Sequence, residues 1–266
     1  MSSDLWAGLA DRFVDGAYAT TKGRVRTFVL HQHLRAHLPA APARVLDVGG
    51  GAGHQSFPLA RAGYHVTLLD ASPAMLAKAA QRLAEEPAEV RDRVRLVPGR
   101  GEDAVRLVGG QRFAAVLCHG VLMYVEDPAP LLAALCECTE AGGIVSILAL
   151  NADTLAVRPA LEHRWADALA AFDARGERGV LGVDTRADTV EELTEQLRGH
   201  GVAPLARYGA WLFSDWMDLD TQVGPSAGAP TGVDLDAVAA VELEASRRDP
   251  YRGMSRVFHL LGRRAN

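Results

Sequence analysis

One stretch limits what this chain can fold into: Arg44-Val45-Leu46-Asp47-Val48-Gly49-Gly50-Gly51-Ala52-Gly53, a helix, then Val66-Thr67-Leu68-Leu69-Asp70. It predicts strand, glycine turn, helix, strand and acid. Val45, Leu46 and Val48 form a short apolar run that ends in glycines, as a strand buried in a parallel sheet does. A turn this tight needs residues that tolerate positive φ and let the backbone approach a ligand, and glycine supplies both. His54 to Arg61 carries Phe57, Leu59 and Ala60 at helical spacing, and Tyr64 to Leu69 is the second strand, closed by Asp70. An acid at that place, about 20 residues past a glycine turn, is where nucleotide-binding α/β units hold a ribose diol. The dinucleotide fingerprint Gly-x-Gly-x-x-Gly/Ala fails here, because the place of its last residue is His54.

The pattern Asp47-x-Gly49-x-Gly51-x-Gly53 instead resembles the first motif of class I S-adenosylmethionine (AdoMet) methyltransferases. A glycine turn can also do no more than close a strand–helix corner, but strand, spacing and Asp70 together favour the nucleotide site. The rest of the chain continues the alternation. Ser72 is placed as N-cap and Pro73 at the first helical position of a helix to about Glu85. Val94 to Val97 is a third strand, Gly101-Glu102-Asp103 opens a helix, and Phe113 to Cys118 is a fourth, hydrophobic strand. An acid after the third strand can accept the exocyclic amine of adenine; it can equally be a helix-start acid favoured by the dipole. His119 and Tyr124 leave the carboxyl end of the fourth strand, the side where open α/β sheets bind ligands. Ile144 to Leu150 is almost wholly apolar and reads as a strand buried on both faces.

Before the first strand, residues 4–18 predict a short helix and a second helix runs to Leu38, with Leu30, Leu34 and Leu38 in one row. Lys22, Arg24 and Arg26 stand at the start of that second helix. They read either as a solvated helix start or, because cations are unfavourable there, as a sign of an anionic partner. After Asn151 the alternation stops: 152–175 predicts a helix with Trp165, Leu169 and Phe172, and 176–188 a Gly- and charge-rich loop. Thr189 to His200 is a helix, Val202 to Tyr208 a sixth strand, 224–230 a loop, Asp236 to Arg248 a helix and Arg256 to Gly262 the last strand. The expectation is one domain of 266 residues: a helical cap (1–42), a cofactor-binding core (43–150), a helical insertion (151–188) and the carboxyl-terminal part of the sheet with substrate-side elements (189–266). The fold class is α/β, a Rossmann-like, mostly parallel sheet of about seven strands.

Composition excludes several classes. No run of apolar residues is long enough for a membrane span, and the start lacks a signal-peptide pattern, so a cytoplasmic chain is expected. The three cysteines, Cys118, Cys136 and Cys138, have no metal-ligand spacing, which predicts buried free thiols and no metal. A net charge of −5 gives no general attraction to nucleic acid, though it hides any local basic patch.

Several separate stretches resemble the family of bacterial tRNA 5-carboxymethoxyuridine methyltransferases, class I enzymes that methylate the carboxylate of a wobble uridine. They are Tyr18 to Arg26 with Thr20-Thr21-Lys22-Gly23-x-x-Arg26, Val45–Gly53 through Asp70 and Ser72, Cys118-His119-Gly120-Val121-Leu122, Asp127-Pro128, Asn151-Ala152, and Leu243-Glu244 through Asp249-Pro250-Tyr251 to Arg256. The glycine motif is specific only to the superfamily; the Thr20–Arg26 segment and the tail are more distinctive. The resemblance implies that Arg26 binds the AdoMet carboxylate, Gly51 and Ala52 its methionine portion, Asp70 the ribose and Gly101-Glu102 the adenine, with His119 beside the methyl group; Asp47, Gly49 and Gly53 complete the cofactor motif. The departures fall on the substrate side. Trp211 stands where the family has an arginine, Ser214 where it has a histidine, Met123-Tyr124 replaces a Glu-Trp pair, and 174–180 replaces a lysine-rich loop.

Methyl transfer from a sulfonium is an in-line displacement, which needs alignment and exclusion of water. A carboxylate nucleophile needs no base, only a cation to hold it, and Arg256, Arg207 and Arg158 are candidates. A hydroxyl or amine nucleophile needs a base near neutrality, and His119, then Tyr124, are placed for it. Three functions follow. A tRNA carboxyl methyltransferase predicts a basic strip of Lys22, Arg24 and tail arginines. A small-molecule O- or N-methyltransferase predicts an aromatic pocket of Tyr18, Trp165, Trp211 and Trp216. A non-catalytic AdoMet-binding protein predicts no turnover.

Overall fold

The computed structural model describes residues 20–179, 182–216 and 234–266. The helix expected at 4–18, Tyr18 and the loop at 224–230 lie outside the described residues.

In chain order the elements are α1 (Thr21–Arg35), β1 (Arg44–Val48), α2 (Ser56–Arg61), β2 (His65–Asp70), α3 (Pro73–Ala84), α4 (Ala88–Arg91), β3 (Val94–Pro98) and α5 (Ala104–Leu107). Then come β4 (Phe113–His119), α6 (Ala129–Cys138), β5 (Thr139–Leu150), α7 (Val157–Leu161), α8 (Trp165–Ala171), β6 (Gly176–Arg178) and β7 (Asp184–Arg186). The last are α9 (Val190–Gly199), β8 (Val202–Ala210), α10 (Phe213–Trp216), α11 (Leu235–Ala245) and β9 (Val257–Arg264). One seven-stranded sheet has the order β3-β2-β1-β4-β5-β9-β8. β3, β2, β1, β4 and β5 pair parallel, and β9 runs antiparallel to both neighbours. The strand order reverses between β1 and β4, so the crevice for a ligand opens at the carboxyl ends of those two strands.

Alternation of side chains sorts the two faces. Leu46, Val48, Val116, Cys118, Val145, Ile147 and Phe258 face α6 and α9 in one core. Val45, Ala115, Leu117, Ile144 and Leu261 face Leu34 of α1 and Leu59 of α2 in another. The rows on the second face continue toward the crevice as His119, Ser146 and His259, all polar. A buried polar row has to be hydrogen-bonded within the protein.

Two expectations fail in the insertion. The single helix at 152–175 is α7 and α8, broken at His163, which sits at φ 58°. The loop at 176–188 contains the antiparallel hairpin β6–β7. The three cysteines are buried and free, and burial pushes the thiols of Cys136 and Cys138 up to about 11. No helix among the described residues is long and apolar enough to cross a membrane.

Candidate active site

The glycine turn after β1 is tied to β2. The Gly49 N–H donates to Leu69 O at 2.7 Å, and the Gly51 N–H donates to Asp70 Oδ2 at 2.8 Å. Asp70 Oδ1 accepts from the Ser72 N–H at 2.9 Å, so the carboxylate is oriented by one amide of the glycine turn and one of the β2–α3 corner. Gly49 and Gly51 have φ of 69° and 55°, where a side chain is strained. A Cβ at Gly49 would lie 2.3 Å from Val121, whereas at Gly51 its nearest neighbour would be Met75 Sδ at 4.0 Å. The first glycine is needed for packing. The second faces open space, a cradle bounded by backbone and Asp70.

Asp47 lies beneath this turn. It is buried, accepts from Ser56 Oγ at 2.7 Å, and is pushed up to about 6 by burial. Ala52 is buried and Gly53 closes the turn onto Gly50 O at 2.9 Å. Gly101 and Glu102 open a 3-10 turn, with Gly101 against Val48 and Glu102 bound to Arg100 at 2.8 Å. The sequence-predicted cofactor residues therefore gather around the carboxyl ends of β1, β2 and β3.

Across the crevice stands α1. Thr20 caps it, its Oγ1 accepting from the Gly23 N–H at 3.1 Å. Lys22 and Arg26, four residues apart, share a face of the helix. Both approach the Trp211 ring, Lys22 Nζ at 4.5 Å and Arg26 Cζ at 5.4 Å from its centre. Trp211 has φ 58°, an outlier for a bulky residue that persists only where its surroundings over-determine it. Here its Nε1–H donates to Lys22 O at 3.0 Å and its carbonyl accepts from the Arg256 N–H at 2.9 Å. Arg26 is buried, and its guanidinium stands beside Gly120.

Next to Trp211 is a cluster that no local pattern in the sequence announces. The carboxylate of Asp215, almost fully buried, receives Lys22, Arg158 at 2.5 Å and, more loosely, Arg256 at 3.8 Å. Arg256 also pairs with Glu177 of β6. Three cations thus meet two acids, with Thr154, Trp216 and Met254 lining a small cleft beside them. Burial pulls the Lys22 ammonium down from its ordinary value. Glu242, buried on α11, accepts from the N–H groups of Leu212 and Ser214 at 3.2 and 2.6 Å and so holds the turn into α10 that presents Asp215. The sequence does not announce Asp215, Glu177 and Glu242 because their partners come from separate segments, 28 to 193 residues away.

Other expected residues are not brought together. Arg207 lies on β8 and faces Asp249 at 3.6 Å and Glu191 at 3.9 Å, away from Arg158 and Arg256. Trp165 is 67% exposed and stacks on His163, so it does not join Trp211 and Trp216 in an aromatic pocket. The expected basic strip is reduced as well: Lys22 turns inward to Asp215, Arg248 pairs with Glu244, and Arg252 pairs with Asp249. Tyr124 sits half-buried on the 3-10 turn Leu122–Tyr124. His119 ends β4 in the crevice, its Nε2 2.9 Å from Ser146 Oγ.

Comparison with known proteins decides the class. Residues 46–145 match a family described as a methyltransferase domain. The tRNA 5-carboxymethoxyuridine methyltransferase of Escherichia coli (strain K12) is 26% identical over 259 residues, spanning 96% of this chain and 94% of that one. The chain is a class I S-adenosylmethionine-dependent methyltransferase. Its fold is shared with the CcbJ methyltransferase of Streptomyces caelestis, with a TM-score of 0.61 at 18% identity, covering 97% of this chain and 96% of that one. It is shared too with the glycopeptide N-methyltransferase MtfA complexed with AdoMet, with a TM-score of 0.56 at 17% identity, covering 90% of this chain and 94% of that one. The methyltransferase uses AdoMet as methyl donor, and the open cradle at Gly51 beside Asp70 suits a nucleoside with a small backbone-bound tail.

Proposed function

We propose that this methyltransferase transfers a methyl group to a carboxylate, and that its acceptor is the 5-carboxymethoxyuridine of tRNA, as in the E. coli relative. The observation that carries this is the cation cluster beside the crevice: Lys22, Arg158 and Arg256 against Asp215 and Glu177, one positive charge in excess. Arginine forks suit a carboxylate, which they can hold with two parallel bonds. AdoMet supplies an electrophilic methyl on a sulfonium. For the chain's own residues, we assign Asp70 to the ribose, Gly101 and Glu102 to the adenine side, and Gly49, Gly51, Ala52 and Gly53 to the backbone cradle, with Asp47 as its buried support. Arg26 holds the carboxylate of the methionine portion, and Trp211 separates it from the acceptor cations.

A carboxylate oxygen arrives as an anion and needs no base. That fits His119, whose basicity burial lowers well below the ordinary range; a base for a hydroxyl would be tuned toward neutrality instead. Work on tRNA would place the enzyme in the cytoplasm. A second reading, a small carboxylic acid as acceptor, is favoured by one observation: the tail arginines spend their charge on acids of this chain rather than on phosphates.

The test is isotopically methyl-labelled AdoMet with unmethylated tRNA carrying 5-carboxymethoxyuridine, read by nucleoside mass spectrometry. Label is expected as a methyl ester on that uridine. Absence of label in a preparation that binds AdoMet would exclude this tRNA as acceptor, and label on free small carboxylic acids alone would establish the second reading.

A further inference from the structure

Behind His119 runs a chain of hydrogen bonds that crosses three strands and ends in α11. His119 Nε2 is 2.9 Å from Ser146 Oγ on β5, and Ser146 Oγ is 2.7 Å from His259 Nε2 on β9. His259 Nδ1 is 3.1 Å from His33 Nδ1 on α1, and His33 Nε2 is 2.8 Å from Ser246 Oγ. Ser246 Oγ is 2.6 Å from Leu243 O. Ser146, Ser246, His33 and His259 are all at most 1% exposed.

The far end sets the direction of every bond. A carbonyl only accepts, so Ser246 gives its proton to Leu243 O and must accept from His33 Nε2–H. Burial keeps His33 neutral, pushing it down to about 2, so its Nδ1 carries a lone pair. His259 must then donate from Nδ1, and, neutral as well and pushed down to about 3, it is left with a bare Nε2. Ser146 donates to that nitrogen and therefore accepts from His119 Nε2–H. The remaining His119 nitrogen, Nδ1, is buried and has no hydrogen-bond partner among the described residues.

We propose that Ser146, His259, His33 and Ser246 are positioning residues that lock one tautomer of His119, so that its buried Nδ1 keeps a bare lone pair at the carboxyl end of β4, beside the β1/β4 reversal. A lone pair there is compatible with the positive sulfonium of AdoMet, whereas an N–H or an imidazolium would be repelled by it. Leu243 O cannot take a proton onward, so the chain is an orienting device and not an exit for protons.

The test is long-range proton–nitrogen NMR on full-length protein with nitrogen-labelled histidine, the His119 signals being assigned by their loss in His119→Gln. The expected result is a protonated Nε2 and an unprotonated Nδ1 at neutral pH. Ser146→Ala removes the acceptor for Nε2–H. It should give a mixed or inverted tautomer, together with AdoMet binding about tenfold weaker by calorimetry, the size of one lost buried hydrogen bond. His259→Leu should do the same. His259→Gln, whose amide offers an acceptor and a donor, should keep the wild-type tautomer. A wild-type His119 protonated on Nδ1 overturns the proposal. So does an unchanged tautomer in Ser146→Ala, which also serves as the decisive variant if His259→Leu fails to fold. A Gln variant indistinguishable from the Leu variant would reduce the effect to packing and overturn it as well.

Discussion

The proposed cofactor side and the proposed acceptor side of this crevice are built in opposite ways. Apart from Arg26 and the Gly101-Glu102 turn, the cofactor side comes from one continuous stretch, residues 44–72, and that stretch works mainly through backbone: positive-φ glycines, N–H groups and one carboxylate held by the Gly51 and Ser72 amides. The acceptor side comes from α1, α7, β6, α10 and Arg256 just before β9, and works through side chains gathered around Asp215 and Arg256. The first is tied down locally: Gly49 and Gly50 bond Leu69 O of β2, Gly51 bonds the Asp70 carboxylate, and Gly53 bonds Gly50 O. The second depends on five segments arriving together, and its key turn is held by Glu242 and by a strained Trp211. Backbone sites tolerate little variation, whereas clustered charges can be rearranged while the fold stays. The departures from family pattern, Trp211, Ser214 and 174–180, accordingly fall on the acceptor side.

Three measurements would break or sharpen this contrast. The largest effect is expected at Gly51→Val. A β-branched side chain at φ 55°, aimed into the open cradle, should abolish AdoMet binding by calorimetry while circular dichroism still shows the fold. Retained binding would mean that the cradle is not where AdoMet sits.

A smaller effect is expected on the other side. Arg256→Met should raise the KM for the acceptor about tenfold to a hundredfold, the scale of a lost charged hydrogen bond, and leave the Kd for AdoMet within about twofold. Asp70→Asn should show the reverse split. If Arg256→Met weakened AdoMet and acceptor equally, the two sides would be one coupled unit.

The smallest effect concerns pH. His33 and His259 are neutral in the fold and held at about 2 and about 3. The unfolded chain takes up protons near pH 6.5, so their contribution is full above that value and falls as pH drops toward about 3. Asp47, raised to about 6, acts in the opposite sense: stability falls as pH rises from about 4 to about 6. Two imidazoles with large shifts outweigh one carboxyl. Stability by urea unfolding should therefore decline from pH 6.5 to pH 4, and His33→Gln with His259→Gln should flatten that decline. An unchanged slope would show that the rings are not held neutral.

How much was legible beforehand differs by the same division. The glycine turn, Asp70 at the end of β2 and the Ser72 cap are local signals, and local signals survive into structure. The break in the insertion carries no sequence signal: His163 is neither Gly nor Pro, yet takes φ 58°, and the apolar Trp165, Leu169 and Phe172 of the expected helix stand 67%, 73% and 76% exposed. Arg207 looked equal to Arg158 and Arg256 in the sequence, but strand β8 carries it to Asp249. His119 was visible by its place after β4; His33, Ser146 and His259 were not, because a polar residue in an apolar strand announces burial only once its partners are known.

The sequence by itself determined the parallel α/β core and the class of nucleotide site, since both rest on periodicity, glycine conformation and spacing along a few dozen residues. The tertiary structure alone decided which cations face the crevice, which arginines are spent on internal acids, and which nitrogen of His119 carries the proton. Those depend on hydrogen bonds and charges between residues as far as 226 positions apart, such as His33 and His259, where only the packed fold brings the partners within reach.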